Sequence, residues 1–173
     1  WPDTGAFDYG GGKHYSDFKS AVAGRPGTVY AGGNDGALHG FDVDTGVEVL
    51  AYYPTHLAET DLESGYHYLT DPDYSHRYFV DGSPVVGDAF TKGAGSSSAA
   101  WRTVLLGTDR AGGRGLFALD VTDPNDFTDT SVKAAQTVLW EFSHTDDANL
   151  GYTFSEPTIA LLNNGKWAAI VGN

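Results

Sequence analysis

Thr28-Val29-Tyr30-Ala31-Gly32-Gly33-Asn34-Asp35-Gly36-Ala37-Leu38-His39-Gly40-Phe41 is the stretch on which the fold turns. Thr28 to Ala31 is dominated by β-branched and aromatic residues, which fit a pleated, half-buried surface. Gly33-Asn34-Asp35-Gly36 supplies turn chemistry: Gly accepts positive φ, and Asn and Asp bond their own backbone. Ala37 to Phe41 is then the return strand of a hairpin. A second turn, Asp42-Val43-Asp44-Thr45-Gly46, leads into a third strand at Val47 to Tyr53. Three short antiparallel strands in succession predict the meander of a propeller blade.

The same order recurs downstream. Ser83 to Phe90, Arg102 to Gly107, Gly115 to Val121 and Val138 to Phe142 predict four strands. In the last of them Leu139-Trp140-Glu141-Phe142 stands where the first unit has Val49-Leu50-Ala51-Tyr52. A third unit opens with Glu156-Pro157-Thr158-Ile159-Ala160-Leu161, parallel to Gly82-Ser83-Pro84-Val85-Val86-Gly87. Lys166 to Gly172 then parallels Trp101 to Gly107. With blade strands labelled a to d, the chain runs b-c-d, a-b-c-d, a-b. The predicted fold class is all-β, a partial β-propeller of about two to three blades with four antiparallel strands per full blade.

The organisation expected is a lead-in at 1–27, blade strands b-c-d at 28–54, an insertion at 55–77, a full blade at 78–143 and the start of the next at 151–173. A propeller ring usually needs about four to eight blades, so this stretch does not close one alone. Its sheet edges are expected to need the remainder of a propeller, or a partner, as cover. The isolated chain is accordingly expected to be unstable or to self-associate. The sequence contains no Met, and Trp1-Pro2-Asp3 lacks the pattern of a signal peptide, which predicts a fragment or a processed product.

Composition narrows the function. Gly at 23 residues and aromatics at 13% suit a turn-rich β protein. A formal net charge of −13 argues against nucleic acid or anionic lipid as a partner, because both demand a basic face. With no Cys, a disulfide framework, a thiolate-bound zinc and a thiol nucleophile are all excluded. No apolar run approaches the roughly 18 residues of a membrane span. Periplasm and cytoplasm both stay open on composition alone.

Chemical motifs are sparse. Gly113-Arg114-Gly115-Leu116-Phe117-Ala118 satisfies G-x-G-x-x-A, but a dinucleotide fingerprint must open a helix, and the β-rich run that follows predicts a glycine hairpin instead. Asp42-x-Asp44-x-Gly46 opens like a calcium loop, yet its twelfth position is Tyr53 rather than a bidentate Glu; loops opening at Asp123 and Asp147 fail likewise, with Ala134 and Thr158 there. Such Asp residues are expected to cap turns. The six histidines, His14, His39, His56, His67, His76 and His144, include no H-E-x-x-H and no pair at i, i+4. No G-x-S-x-G elbow and no phosphate-binding P-loop occurs, and no catalytic residue is assigned. Long blade loops carry specificity in such folds, so Thr55 to His76, rich in Tyr, His and Asp, is the candidate recognition loop, with His67, Tyr68, Tyr74 and His76 as its candidate residues. Lys92 to Ala100 is expected to be a flexible hairpin tip.

Arg25-Pro26 followed by Val29-Tyr30-Ala31-Gly32-Gly33-Asn34-Asp35-Gly36-Ala37-Leu38-His39-Gly40-Phe41-Asp42 resembles a signature of the PilY (PilC) family of type IV pilus biogenesis and tip-adhesin proteins. The resemblance continues through Tyr78-Phe79-Val80-Asp81-Gly82-Ser83-Pro84, Gly112-Gly113-Arg114-Gly115-Leu116-Phe117-Ala118-Leu119-Asp120-Val121-Thr122, Gly151-Tyr152-Thr153-Phe154-Ser155 and Asn163-Asn164-Gly165-Lys166-Trp167. It implies PQQ-like blades from the family's C-terminal propeller and a non-enzymatic factor for pilus assembly, retraction control and tip adhesion. It further implies a periplasmic, outer-membrane or extracellular pilus-tip location, with minor pilins and the pilus tip as partners and a host or abiotic surface as ligand. The family's Asp-rich calcium loop is expected further along the propeller, so no cofactor or metal residue is carried onto this chain. The blades also resemble repeats of PQQ-dependent quinoprotein dehydrogenases, though a Cys-free chain cannot hold the vicinal cysteines of many of them. A propeller scaffold for outer-membrane assembly is a third reading.

Overall fold

The computed structural model describes residues 9–11, 13–58, 64–128 and 130–172. Most of the first nine residues of the expected lead-in, residues 59–63 of the insertion, and Asn173 lie outside them.

Among the described residues, helix α1 (Tyr15–Val22) precedes a sheet of β1 (Thr28–Gly32), β2 (Leu38–Asp42) and β3 (Glu48–Tyr52), paired antiparallel in chain order. The turns form as their residue types demand. Gly36 takes φ +97°, and the Asp35 carboxylate accepts the Ala37 N–H at 3.3 Å. Asp42 Oδ1 accepts from Asp44 N, Thr45 N and Thr45 Oγ1 at 3.2, 2.8 and 2.7 Å, and Gly46 takes φ +70°. That oxygen is occupied in shaping a hairpin.

A second sheet comprises β4 (Val85–Lys92), β5 (Ala99–Thr108), β6 (Gly115–Asp120) and β7 (Val138–Ser143), again antiparallel in chain order. Helix α2 (Ser131–Thr137) interrupts the run from β6 to β7, and the Thr130 side chain caps it. The third sheet pairs β8 (Thr158–Leu161) with β9 (Trp167–Ile170). Three meanders of three, four and two strands make a partial propeller with no closed ring, as expected from the repeats. The tip at Lys92 to Ala100 is tighter than predicted: Lys92 and Ala99 pair in the ladder, so only 93–98 turn.

Packing follows the two-residue period of the strands. On β5 and β6, Leu105, Phe117 and Leu119 point towards the first sheet, joining Leu38, Phe79 and Val80 in one buried cluster. Val104, Leu106 and Ala118 point the other way and pack with Ala89 and Ile159 against the third sheet. Both faces of β5 are covered, which explains why it reads as a nearly continuous apolar run. Burying one such side chain contributes about 1.5–3 kcal/mol, so these inter-sheet faces outweigh any single strand hydrogen bond at about 1 kcal/mol net.

The aromatic lead-in also has a structural use. Tyr15 and Phe18 of α1 lie beside Trp101, with ring centroids 4.7 and 6.3 Å away, and Tyr15 donates to Asp88 at 2.7 Å. Tyr9 stacks on Phe90 at 3.8 Å and accepts from Trp167 Nε1 at 2.8 Å. Large apolar side chains remain exposed on the outer sheet faces, among them Val29, Phe142 and Ile170. Such faces are the ones a neighbouring blade would cover.

Candidate functional site

Two segments meet beside the second sheet: the insertion after β3, and the turn joining β5 to β6. The insertion is anchored by its tyrosines. Tyr66 donates to the Pro54 carbonyl at 2.7 Å, and its ring stacks towards Phe79 with centroids 6.2 Å apart. Tyr68 is only 7% exposed; its hydroxyl accepts the Ser75 N–H at 3.0 Å, and the Arg77 guanidinium lies 3.2 Å from its ring centroid. Asn34 ties the loop's exit to the first hairpin. Its Oδ1 accepts the Phe79 N–H at 3.3 Å, which leaves Nδ2 to donate to His76 Nε2 at 3.2 Å.

The four residues singled out in this loop are thus placed differently. Tyr68 points inward and packs against Tyr74, with centroids 5.3 Å apart; Tyr74 is partly exposed. His67 stands exposed on a 3-10 turn (Gly65–Thr70), and His76 is exposed beside Tyr78. No group of three His, Asp or Glu side chains that could hold a metal ion occurs among the described residues.

The turn after β5 explains the glycine-rich motif. It feeds β6 directly, so Gly113-Arg114-Gly115 opens a strand and not a helix. A Cβ on Gly112 would stand 1.8 Å from the Phe79 carbonyl oxygen, and one on Gly115 would stand 2.2 Å from His56 Nε2. Backbone and imidazole therefore occupy the space any larger residue needs. Arg110, between them and β5, holds φ +48°, a left-handed conformation uncommon outside glycine.

Under these glycines lies a buried charged cluster. His56 Nε2 donates to Asp109 Oδ2 at 2.7 Å, and His56 Nδ1 lies 3.5 Å from Glu141 Oε2. Asp109 is wholly buried, and the His56 side chain is 8% exposed. Glu141 accepts from the Tyr52 hydroxyl, the Thr55 hydroxyl and, at 2.8 Å, the Thr55 N–H. Burial disfavours the imidazolium, yet the Asp109 hydrogen bond and the two carboxylate charges outweigh it and raise the His56 pKa above 6.5. Burial raises the Asp109 pKa, only partly opposed by His56. Burial would raise Glu141 too, but the hydrogen bonds from Thr55 and Tyr52 bring it below its usual value.

The sign of the pH dependence follows. His56 binds its proton more tightly folded than unfolded, so its contribution is complete below about pH 6.5 and is lost as pH rises through its folded pKa. Asp109, also raised, acts in the same direction. Glu141, lowered, loses its contribution only as pH falls below about 4.5. Raising pH from 6 to 8.5 should therefore lower the Tm of the wild type more than that of His56→Gln. Parallel Tm profiles for the two would show that the cluster does not titrate.

Outside the cluster the same two segments, together with the stretch after β7, line a cleft of about 290 Å³ among the described residues. Its walls include His56, Arg77, Tyr78, Arg114, His144 and Tyr152, with Phe79 and Gly112–Gly113 behind them. The residues of the insertion carry no local signal for this cleft. His56 and Asp109 carry no local signature, since 53 residues separate them and the packing of the turn Thr55–Leu57 against the second sheet brings them together. The unusual Gly112-Gly113-Arg114-Gly115 run was the one available signal.

Comparison with known proteins gives concordant results. A family profile for the PilY1 beta-propeller domain matches residues 6–173. The type IV pilus biogenesis factor PilY1 of Pseudomonas aeruginosa strain UCBPP-PA14 is 49% identical over 162 residues, covering 92% of this chain and 12% of that protein. A type IV pilus biogenesis factor PilY1 homolog of Xylella fastidiosa strain Temecula1 is 42% identical over 149 residues, covering 84% of this chain and 9% of the homolog. The crystal structure of the Pseudomonas aeruginosa PilY1 C-terminal domain is similar in fold, with a TM-score of 0.66 and 44% identity over 92% of this chain and 27% of that one. The chain thus spans about one-eighth or less of the length of these curated relatives.

Proposed function

The chain belongs to the PilY1 β-propeller family, and on that premise we propose that it serves as propeller blades in a type IV pilus assembly and retraction-control factor and pilus-tip adhesin. The observation that carries this reading is the family match over 6–173, supported by 49% identity to a pilus biogenesis factor. The comparisons favour it over a quinoprotein dehydrogenase or an outer-membrane scaffold. The reading includes no enzymatic step. It places the protein in the cell envelope, periplasmic or at the pilus tip, with minor pilins as partners. Among the described residues no helix is long and apolar enough to cross a membrane. Calcium belongs in this reading to the family's downstream Asp-rich loop and is assigned to no residue here; the Asp turns at 42, 123 and 147 accept from their own backbones.

The insertion at 55–77 is the recognition surface in this reading. Tyr66 and Tyr68 hold it in place, and His67, Tyr74 and His76 present it. In a strain expressing the full-length protein, His67→Ala, Tyr74→Ala and His76→Ala together should leave surface pili assembled and reduce attachment several-fold. Deleting the gene should abolish both piliation and twitching. Normal piliation and attachment in the deletion strain would sink the proposal. Full attachment by the triple variant, at wild-type protein level, would remove the loop from it.

A further inference from the structure

We propose that Asn164 is a modification site: its side-chain amide is lost by cyclisation onto the Gly165 nitrogen, and the isoaspartate that results lengthens the β8–β9 turn by one main-chain atom. Three Asx-Gly pairs occur in the chain, Asp35-Gly36, Asp81-Gly82 and Asn164-Gly165. Glycine favours such a cyclisation because no side chain shields its nitrogen. The structure separates the three pairs. Gly82 is buried, and its N–H donates to the Thr108 carbonyl at 3.0 Å. The Asp35 carboxylate accepts the Ala37 N–H and lies 3.0 Å from His39 Nε2, while Gly36 sits against the Tyr66 ring. An ionised carboxylate is, moreover, a poor electrophile.

Asn164 differs on each count. Residues 162–166 are exposed, and nothing lies within 4 Å of where a Cβ on Gly165 would stand. Gly165 holds φ +78° at the tip between two strands of four residues each. Three hydrogen bonds close that tip: Leu162 N–H to the Lys166 carbonyl at 2.8 Å, Gly165 N–H to the Leu162 carbonyl at 2.9 Å, and Lys166 N–H to Asn164 Oδ1 at 3.0 Å. An exposed tip so held opens locally, which frees the Gly165 nitrogen to meet the Asn164 side chain. Asn34, Asn125, Asn149 and Asn163 are followed by Asp, Asp, Leu and Asn, whose side chains crowd the attacking nitrogen.

The reaction needs only water. The Gly165 nitrogen bonds to Asn164 Cγ as the Cγ–Nδ2 bond breaks, and Nδ2 leaves as ammonia with its own two hydrogens and the proton from Gly165. Water then opens the cyclic imide, giving its hydroxyl to one carbonyl carbon and its remaining hydrogen to the Gly165 nitrogen. Opening at Cγ leaves aspartate. Opening at the other carbonyl leaves isoaspartate, with the main chain routed through Cβ and Cγ.

The extra atom matters because the strand after the turn joins two sheets. Leu161 pairs with Trp167 beside the tip, and Trp167 and Ala169 pack against the cluster that ties Ile159 to the second sheet. The Trp167 ring lies 5.6 Å from Trp101, and its Nε1 donates to Tyr9 at 2.8 Å. Lengthening the turn displaces β9 along β8 and loosens this packing.

The test is peptide mapping by mass spectrometry of the full-length protein held in mildly alkaline buffer, with isoaspartate labelled by an isoaspartyl methyltransferase. Product at Asn164 should accumulate about tenfold faster than at Asn34, Asn125, Asn149 or Asn163, and about tenfold slower than in a free peptide of the same sequence, because the tip must first open. In mild acid, where the Gly165 nitrogen keeps its proton, it should accumulate more slowly still. Limited proteolysis reads the consequence: aged wild type should be cut within 158–170 about fivefold faster than fresh protein. Asn164→Gln aged alike should not be, nor should fresh Asn164→Asp, which carries the new charge without the extra atom. No product at Asn164 after prolonged incubation, faster reaction at another asparagine, or equal cleavage of aged Asn164→Gln would each overturn the proposal. Fresh Asn164→Asp cut as fast as aged wild type would overturn the lengthened turn and the proposal with it.

Discussion

Truncating Phe117 to Ala should lower the unfolding free energy by about 3–5 kcal/mol, the largest loss expected from any single core change here. Phe117 is fully buried at the centre of the cluster joining the first and second sheets. Its ring lies over Gly107, its cross-strand partner, where an added Cβ would come within 2.2 Å of the ring; Tyr52 packs on it at 5.0 Å between centroids. Surrounding strands are locked in their ladders, so the space left by the ring cannot collapse, and the cavity adds to the lost transfer energy. Urea unfolding followed by tryptophan fluorescence measures the loss. Phe117→Leu, which keeps most of the volume, should cost less than half as much. A loss below about 1 kcal/mol for the Ala variant would mean that the two sheets do not share this core.

Asp109→Ala should destabilise by a comparable amount, about 3–5 kcal/mol, through electrostatics and not volume. Removing the carboxylate strands His56 in a buried setting with Glu141 3.5 Å away as its remaining charged neighbour. Replacing both partners is a different matter. His56→Leu with Asp109→Leu removes the charges together, and the double variant should lie closer to wild type than Asp109→Ala does, because an apolar pair carries no desolvation cost. A double-mutant cycle on the intact protein reads the coupling directly. Additive single effects would show that the 2.7 Å contact contributes nothing specific.

Much of the molecule was legible in its residues. Strand after strand announced itself through a short apolar run flanked by Gly, Asn or Asp, because the two-residue period and the turn chemistry are both local. All nine predicted strands form, with ends displaced by up to about three residues, and the interrupted order of the repeats carried the partial propeller with it. Helix α1 was hidden among the aromatics of the lead-in, and α2 in the run after β6. Both are short, and what holds α1 in place is distant: Tyr15 against Trp101 and Asp88. Within the insertion at 55–77, composition marks the segment and not the orientation of its side chains. Tyr68 and Tyr74 look equivalent as letters, yet one is an anchor under Arg77 and the other reaches the surface.

The sequence by itself therefore determined the blades, their order and the family, because each depends on contacts between residues near one another in the chain. Tertiary structure alone decided the site. His56, Asp109 and Glu141 come from three separate elements: pairing of β5, β6 and β7 places the two carboxylates, and packing of the turn Thr55–Leu57 onto β7 brings His56 to them beneath Gly115. The cleft outside them has the same origin: its described lining comes from residues between positions 56 and 152, whose proximity is set by packing and by no local pattern.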